Sequence, residues 1–115
     1  MHAVSLYPCP AESLNLRAIE TLRLTYPNRV IGDSNHYDGT RFAEVAYMLG
    51  ARIFEKHFTL SHSLKGRDHA FSLEPAGLAS LVKTLHELPL ALGDGKKVRL
   101  EEEVPALRRM GRRDV

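Results

Sequence analysis

Cysteine is scarce in this sequence, because Cys9 is the only one, which excludes an intrachain disulfide bond and fits a reducing compartment. No base partner for a nucleophilic thiol is evident, so we expect Cys9 to be a small packed residue near a strand end. No run of about 20 consecutive apolar residues is present, which argues against a membrane partner. The first residues lack the basic and apolar segments of a secretory signal, so we predict a cytoplasmic protein.

The sequence also lacks a large excess of positive or negative charge. Its formal net charge is only +2, which is too small to indicate a nucleic-acid partner. One local excess of positive charge lies near the C-terminus and is balanced by the acidic residues 101–103. We interpret residues 98–115 as a charged, solvated linker rather than a phosphate-binding arm. The arginines concerned are Arg108, Arg109, Arg112 and Arg113.

The sequence does contain a strand-then-helix pattern that occurs three times. Short segments with β-branched or aromatic residues predict strands at residues 3–6, 30–32 and 53–55. Apolar residues at helical spacing follow each segment and predict three helices. The three stripes are Leu16, Ile19, Leu22 and Tyr26; Phe42, Val45, Ala46 and Leu49; and Leu78, Leu81, Val82 and Leu85.

Turn-forming residues mark the ends of these helices. Pro27 should stop the first helix, and Gly50 is typical of the C′ position that ends the second. For the third helix, Ser72 is the predicted N-cap and Pro75 lies in the first turn, where proline is tolerated.

Strands that alternate with helices predict an α/β fold with parallel pairing through right-handed crossovers. The strand-to-strand spacing suits the units of a TIM (β/α)₈ barrel, which average about 30 residues in a whole barrel of about 250. Three units make less than half a barrel, and their sheet would keep two open edges and an uncovered face. We therefore expect either a fragment of a longer protein or a chain that another chain completes, and we favour the fragment.

Candidate functional residues follow the strands, because active sites of such barrels lie in the loops at the C-terminal strand ends. His36 follows the second strand and His57 follows the third at an equivalent place. Two imidazoles so placed can converge on one divalent ion that keeps open positions for water or substrate oxygen. Spacing alone leaves a second interpretation open, in which each histidine is a hydrogen-bonded loop residue.

Other polar residues at these strand ends also have two interpretations. Glu55 is placed to bind a sugar hydroxyl or hold a water if it faces the barrel axis, and otherwise to form an ion pair with Lys56 or Arg52. Ser34 and Asn15 lie near helix entrances, where they could hold an anionic group or act only as helix caps.

Six short motifs stand in order along residues 1–97. They read SLYPCP at 5–10, NLRAI at 15–19, GDSNH at 32–36, GARIFEKHFTL at 50–60, GRDH at 66–69 and SLEP at 72–75. In order and spacing they resemble the motifs of the N-acetylneuraminate (sialic acid) synthase family. An unrelated metal-dependent barrel enzyme would not account for the EKHFT and SLEP series.

The resemblance implies that residues 1–97 are the last three β/α units of a synthase TIM barrel. It implies an enzyme that condenses phosphoenolpyruvate with an N-acylated amino sugar such as N-acetylmannosamine, giving a nine-carbon 2-keto acid and phosphate. The cofactor would be Mn²⁺ or Mg²⁺. By the same resemblance the metal ligands are His36 and His57, the amino-sugar contacts are a catalytic Glu55 and Asp68, and the phosphoenolpyruvate contacts are Asn15 and Ser34.

The resemblance also implies parts that this sequence does not contain. These are the N-terminal barrel half, with the lysines that bind phosphoenolpyruvate and another glutamate near the metal, and a small C-terminal domain that reaches the active site of a partner in a homodimer. We therefore predict that the lone chain is inactive; the alternative is a non-catalytic half-barrel that associates with a complementary chain. The resemblance does not choose between sialic, legionaminic and pseudaminic acids or decide whether the product is phosphorylated.

The sequence departs from the family motifs at a few positions. The family has Tyr and Asp around the serine of GDSNH, where this chain has Asp33 and Asn35. In the family motif the acid stands directly before the histidine, whereas here it stands three residues before His36. It is therefore in doubt which groups orient this imidazole. Arg67 replaces a common proline and could alter the choice of sugar.

Overall fold

Three short strands form one parallel sheet in the order of the sequence. The computed structural model describes residues 1–111 and contains β1 (His2–Ala3), β2 (Gly32–Ser34) and β3 (Ile53–Glu55), in the order β1-β2-β3. Both neighbouring pairs are parallel, with Ser34 opposite Ala3 on one side and Glu55 on the other. The predicted parallel α/β arrangement is therefore confirmed.

Two of the three strands differ in extent from the prediction. The prediction for β1 was wrong because the chain turns after Ala3, where the amide of Leu6 donates to the carbonyl of Val4 over 2.9 Å. In β2 the ladder continues past the apolar segment into polar residues, because Asp33 and Ser34 pair with β3. The strand at 53–55 has the predicted bounds.

Helices follow the strands as predicted: α1 (Arg17–Thr25), α2 (Ala43–Met48) and α3 (Pro75–Leu92). A fourth helix, α4 (Val104–Arg109), lies in the segment that the sequence predicts to be a charged, solvated linker. Arg108 and Arg109 occupy its last turn, where basic side chains favour the helix dipole. Arg112 and Arg113 of the predicted tail lie outside the described residues. Over residues 1–111 no helix has the length and apolarity to cross a bilayer.

The ends of α2 and α3 test the predicted caps. Gly50 has φ +113°, and its amide donates to the carbonyl of Tyr47. The amide of Ala51 donates to the carbonyl of Ala46, and the two bonds together form a Schellman motif. The predicted C′ glycine is therefore confirmed. Ser72 as N-cap of α3 was wrong, because Glu74 occupies that position and the Ser72 hydroxyl instead donates to the carbonyl of Asp68 over 2.6 Å.

The core lies on one face of the sheet. Ile19, Ile31, Ala46 and Ala51 are buried there, with Phe54 packed against them. The other face remains open over the described residues. Alternation along the strands puts an exposed Val30 and Ile53 on it together with Met1.

Candidate functional site

His36 and His57 lie side by side where β2 and β3 end. Their ring centroids are 5.2 Å apart and the ring planes are nearly perpendicular, at 88°. His36 is buried, whereas the side chain of His57 keeps 30% of its surface exposed. The two positions are equivalent on neighbouring parallel strands, and this register brings the imidazoles together.

Each imidazole has a partner at Nδ1. His36 Nδ1 lies 2.6 Å from the carbonyl oxygen of Val4. Because a carbonyl only accepts, this nitrogen carries the proton and the neutral ring keeps its lone pair on Nε2. His57 Nδ1 lies 3.7 Å from Oδ2 of Asp68. At 3.7 Å the second contact is too long for a hydrogen bond. Metal-binding histidines usually have a carbonyl or carboxylate bonded to the second nitrogen, as His36 has, since it fixes ring orientation and tautomer.

Aromatic side chains line the space around the two histidines. The Tyr7 ring centroid lies 4.3 Å from that of His36 and 5.6 Å from that of His57. Phe71 lies 5.2 Å from His57 by the same measure. Sequence reasoning assigned no role to either residue. The position of Tyr7 after β1 was a signal for it, whereas Phe71 comes from a long loop whose path the sequence pattern does not give.

Ser34 and Glu55 face each other across the β2–β3 ladder. The Ser34 hydroxyl donates to Oε1 of Glu55 over 2.7 Å, and the glutamate remains exposed. The ion pair that we considered for Glu55 is not formed, since Lys56 and Arg52 instead donate to backbone carbonyl groups. Phe54 packs into the core, so Glu55 lies on the open face of the sheet, on the same side as the histidines.

Of the two remaining predicted residues, Asp68 lies near the histidines, whereas Asn15 makes no hydrogen bond to them. The exposed Asp68 reaches His57 from the loop before α3. Asn15 is exposed just before α1, with φ +44°. Within residues 1–111 no side-chain hydrogen bond joins Asn15 to Ser34 or to either histidine. The cluster that the structure brings together is therefore Ser34, His36, Glu55, His57 and Asp68.

The sequence matches the pattern of the NeuB family over residues 1–97. The chain belongs to the NeuB family. The predicted resemblance is thereby confirmed, since relatives of this chain carry the name N-acetylneuraminate-9-phosphate synthase. One from Drosophila melanogaster is 44% identical over 91 residues, covering 79% of this chain and 24% of that protein.

Relatives with other products match as well. The N,N'-diacetyllegionaminic acid synthase of Campylobacter jejuni is 38% identical over 84% of this chain and 29% of that protein. In structure, the sialic acid synthetase of Leptospira borgpetersenii matches with a TM-score of 0.73 at 36% identity, covering 94% of this chain and 38% of that one. The NeuB chain thus has a synthase-type α/β fold and spans between 24% and 38% of the length of these relatives.

The donor set of the NeuB chain suits a divalent metal only in part. With a metal–nitrogen bond of about 2.1 Å, two imidazoles on one ion have ring centroids about 4.5 to 6 Å apart, and the observed 5.2 Å lies in this range. The neutral Nε2 of His36 is a suitable donor. However, the described residues contain no group of three or more metal-ligating side chains. The two histidines therefore fit a metal site that takes its other ligands from water, substrate or another part of the protein.

Asp33 and Asn35, the two residues near His36 that differ from the family motif, lie on the helix side of the sheet. Asp33 is buried and Asn35 Nδ2 donates to its Oδ2 over 3.2 Å, while Asn35 Oδ1 accepts from the amide of Tyr37 over 2.9 Å. Burial raises the pKa of the Asp33 carboxyl, opposed by the Asn35 hydrogen bond and the nearby charge of Lys56. The His36 imidazole is hydrogen-bonded at Nδ1 to the carbonyl of Val4 and not to this acid.

We expect Asp33 to make folding less favourable as the pH rises. A carboxyl with a raised pKa binds its proton more tightly in the folded chain, so its stabilising contribution is present below the ordinary pKa of 3.8 and is lost as the pH rises through the folded value. Asp33→Asn keeps an acceptor but cannot titrate. The free energy of unfolding of this variant, measured with urea, should therefore increase relative to the parent above pH 3.8. A difference in unfolding free energy that stays the same at all pH values for Asp33→Asn would contradict the prediction.

Proposed function

We propose that this chain is three consecutive units of a TIM barrel and forms one side of the active site of a sialic-acid-type synthase. The synthase condenses phosphoenolpyruvate with an N-acylated amino sugar and releases phosphate. The observation that carries the proposal is the pair of imidazoles, 5.2 Å apart, with a carbonyl hydrogen-bonded to Nδ1 of His36 and a carboxylate 3.7 Å from Nδ1 of His57. The names of the relatives support the reaction class.

Within this proposal, His36 and His57 would hold Mn²⁺ or Mg²⁺. The bound ion supplies Lewis-acid polarisation of the sugar aldehyde. The carbonyl of Val4 would keep the His36 ring in orientation by its hydrogen bond to Nδ1, and the carboxylate of Asp68 would attract the His57 ring over 3.7 Å.

The remaining predicted residues contact the two substrates. Glu55 is the proposed catalytic residue, because its Oε1 accepts from Ser34 and its second oxygen stays free to orient a sugar hydroxyl or the attacking water. Asp68 contacts the amino sugar. Ser34 and Asn15 contact phosphoenolpyruvate, so the Ser34–Glu55 hydrogen bond would connect the two substrate positions.

The proposed reaction balances with one water. C3 of phosphoenolpyruvate forms a bond to the aldehyde carbon, whose oxygen takes a proton and becomes a hydroxyl. The water oxygen adds at C2, the bond from C2 to the phosphate oxygen breaks, and phosphate leaves. The product is a 2-keto sugar acid, and the relatives make sialic and legionaminic acids by name.

The proposed active form includes protein beyond this chain, since the chain spans between 24% and 38% of its relatives. We propose that the missing N-terminal barrel half completes the sheet and supplies cationic groups for the phosphate. In the full-length enzyme we expect a homodimer in the cytoplasm.

Metal binding gives the direct test of the histidine assignment. Calorimetric titration should detect weak Mn²⁺ binding by the parent, because two imidazoles leave most of an octahedral shell to water. His36→Ala combined with His57→Ala should abolish this heat. His86→Ala, which removes an exposed histidine of α3, is the matched control and should bind like the parent. Equal heats for the double variant and the parent would instead support hydrogen-bonded loop histidines without a metal.

A further inference from the structure

The peptide segment after His36 is held from both directions by side chains. Asn35 Oδ1 accepts from the amide of Tyr37 over 2.9 Å, and the ammonium of Lys56 donates to the carbonyl of the same residue. The carbonyl of His36 itself accepts from the amide of Cys9 over 2.9 Å. The backbone that carries His36 therefore has a bonded partner at each polar group from the His36 carbonyl to the Tyr37 carbonyl.

Lys56 belongs to a different strand end from the peptide that it holds. It directly precedes His57, whereas Tyr37 directly follows His36. Its hydrogen bond therefore joins the two segments that carry the histidines, and among side-chain bonds of the described residues it alone links position 37 to positions 55–57. The β2–β3 pairing ends at Ser34 and Glu55, where the amide of Asn35 also donates to the carbonyl of Glu55 over 3.1 Å. Beyond that bond, no backbone hydrogen bond of the described residues joins the two segments directly.

The surroundings of Lys56 keep its ammonium in place. The side chain is half-buried, and the carboxylates of Asp33 and Asp38 lie near enough to oppose the lowering of its pKa that burial causes. Asp33 in turn accepts from Asn35. A half-buried lysine with carboxylates nearby and a carbonyl acceptor holds a more defined position than a solvated lysine on a helix surface.

We propose that Lys56 is a positioning residue that sets the distance between the His36 and His57 imidazoles by tying the loop after β2 to the end of β3. This inference rests on the proposed function for its consequence, because the distance matters only if both rings bind one ion. Partners outside the ligand shell typically change metal affinity by about 10- to 100-fold. We expect a loss of that size when the ammonium is removed.

The test compares Lys56→Met, which keeps the apolar stem and loses the donor, with Lys56→Arg, which keeps a charged donor. Lys83→Met is the matched control, because Lys83 is an exposed lysine of α3. Two quantities are measured on the 115-residue chain: nuclear Overhauser contacts between the two imidazole rings without metal, and Mn²⁺ affinity by calorimetry. Circular dichroism and urea unfolding show whether each variant is folded.

The expected result is that Lys56→Met folds, loses the ring–ring contacts and binds Mn²⁺ about 10- to 100-fold more weakly, while Lys56→Arg recovers part of both. A folded Lys56→Met with unchanged ring contacts overturns the inference whatever its metal affinity. If the parent binds no Mn²⁺ at these histidines, the proposed function fails, but the ring contacts still decide the role of Lys56. Should neither variant fold, Lys56 is a general stability residue and the inference is also overturned.

Discussion

The 115-residue chain alone should release no phosphate from phosphoenolpyruvate in the presence of N-acetylmannosamine and Mn²⁺. Such a condensation needs both substrates within near-attack distance and preorganised donors for the charge that develops. The described cluster offers two imidazoles and carboxylates, with Glu55 exposed on the open face of the sheet. Each preorganised donor that is lost typically costs about 10² or more in rate, and under the proposed function the cationic groups for the phosphate come from another part of the barrel. A colorimetric phosphate assay measures the result directly.

Completing the barrel should restore turnover. The N-terminal barrel units of a full-length relative, fused or supplied as a second chain, would cover the exposed Val30 and Ile53 and pair the open strand edges. The same complementation with His36→Ala and His57→Ala is the control and should stay inactive. Robust turnover by the lone chain would contradict the proposal that it is part of a barrel.

If the completed barrel folds but shows no turnover, the cause to test is Asp33 and Asn35, the two residues at which this chain differs from the family motif around Ser34. Asp33→Tyr with Asn35→Asp restores the family motif around Ser34 and tests this point. If the restored motif also gives no turnover, association without catalysis becomes the better account of the chain.

The covering of the open face has a second observable consequence. Met1, Val30 and Ile53 expose apolar surface on one side of a three-stranded sheet, which is an arrangement prone to self-association. Light scattering should therefore report less aggregation once the complementary units are present. This change accompanies the recovery of turnover if the units dock on the sheet.

Periodicity predicted the elements of this fold better than it predicted their ends. The apolar stripes place α1, α2 and α3, and Gly50 gives the end of α2 because a left-handed residue favours glycine. The end of β1 lies at a turn that the apolar pattern does not reveal, in which the carbonyl of Val4 accepts from the Leu6 amide and also from His36, far along the chain. The pattern does not predict the tail helix α4, because its charged residues are equally typical of a solvated linker.

In the candidate site, too, the positions of the main residues were predictable from the sequence, whereas their hydrogen-bond partners were not. Equivalent positions on neighbouring strands were enough to predict that His36 and His57 meet, because parallel strands align their ends. The partners of their Nδ1 atoms were not predictable, since Val4 and Asp68 lie 32 and 11 positions away in sequence. The link through Lys56 was missed for a similar reason, because a lysine beside a predicted strand end gives no indication of its acceptor.

Glu55→Gln should lower the turnover of the completed barrel by about 10² or more, with little change in the KM for phosphoenolpyruvate. Glutamine keeps an oxygen that accepts from the Ser34 hydroxyl, so the local hydrogen bond survives while the negative charge is lost. A carboxylate that orients a hydroxyl or a water by accepting its proton acts most strongly in the transition state, so kcat falls and KM changes little.

Two variants make the result specific. Glu87→Gln removes an exposed carboxylate of α3 and should leave turnover unchanged. Ser34→Ala removes the hydrogen-bond donor but keeps the charge of Glu55. It should raise the KM for phosphoenolpyruvate if Ser34 contacts that substrate. Should Glu55→Gln turn over like the parent, Glu55 would have only a structural role beside Ser34, and the groups that act on the sugar would have to come from the other part of the barrel.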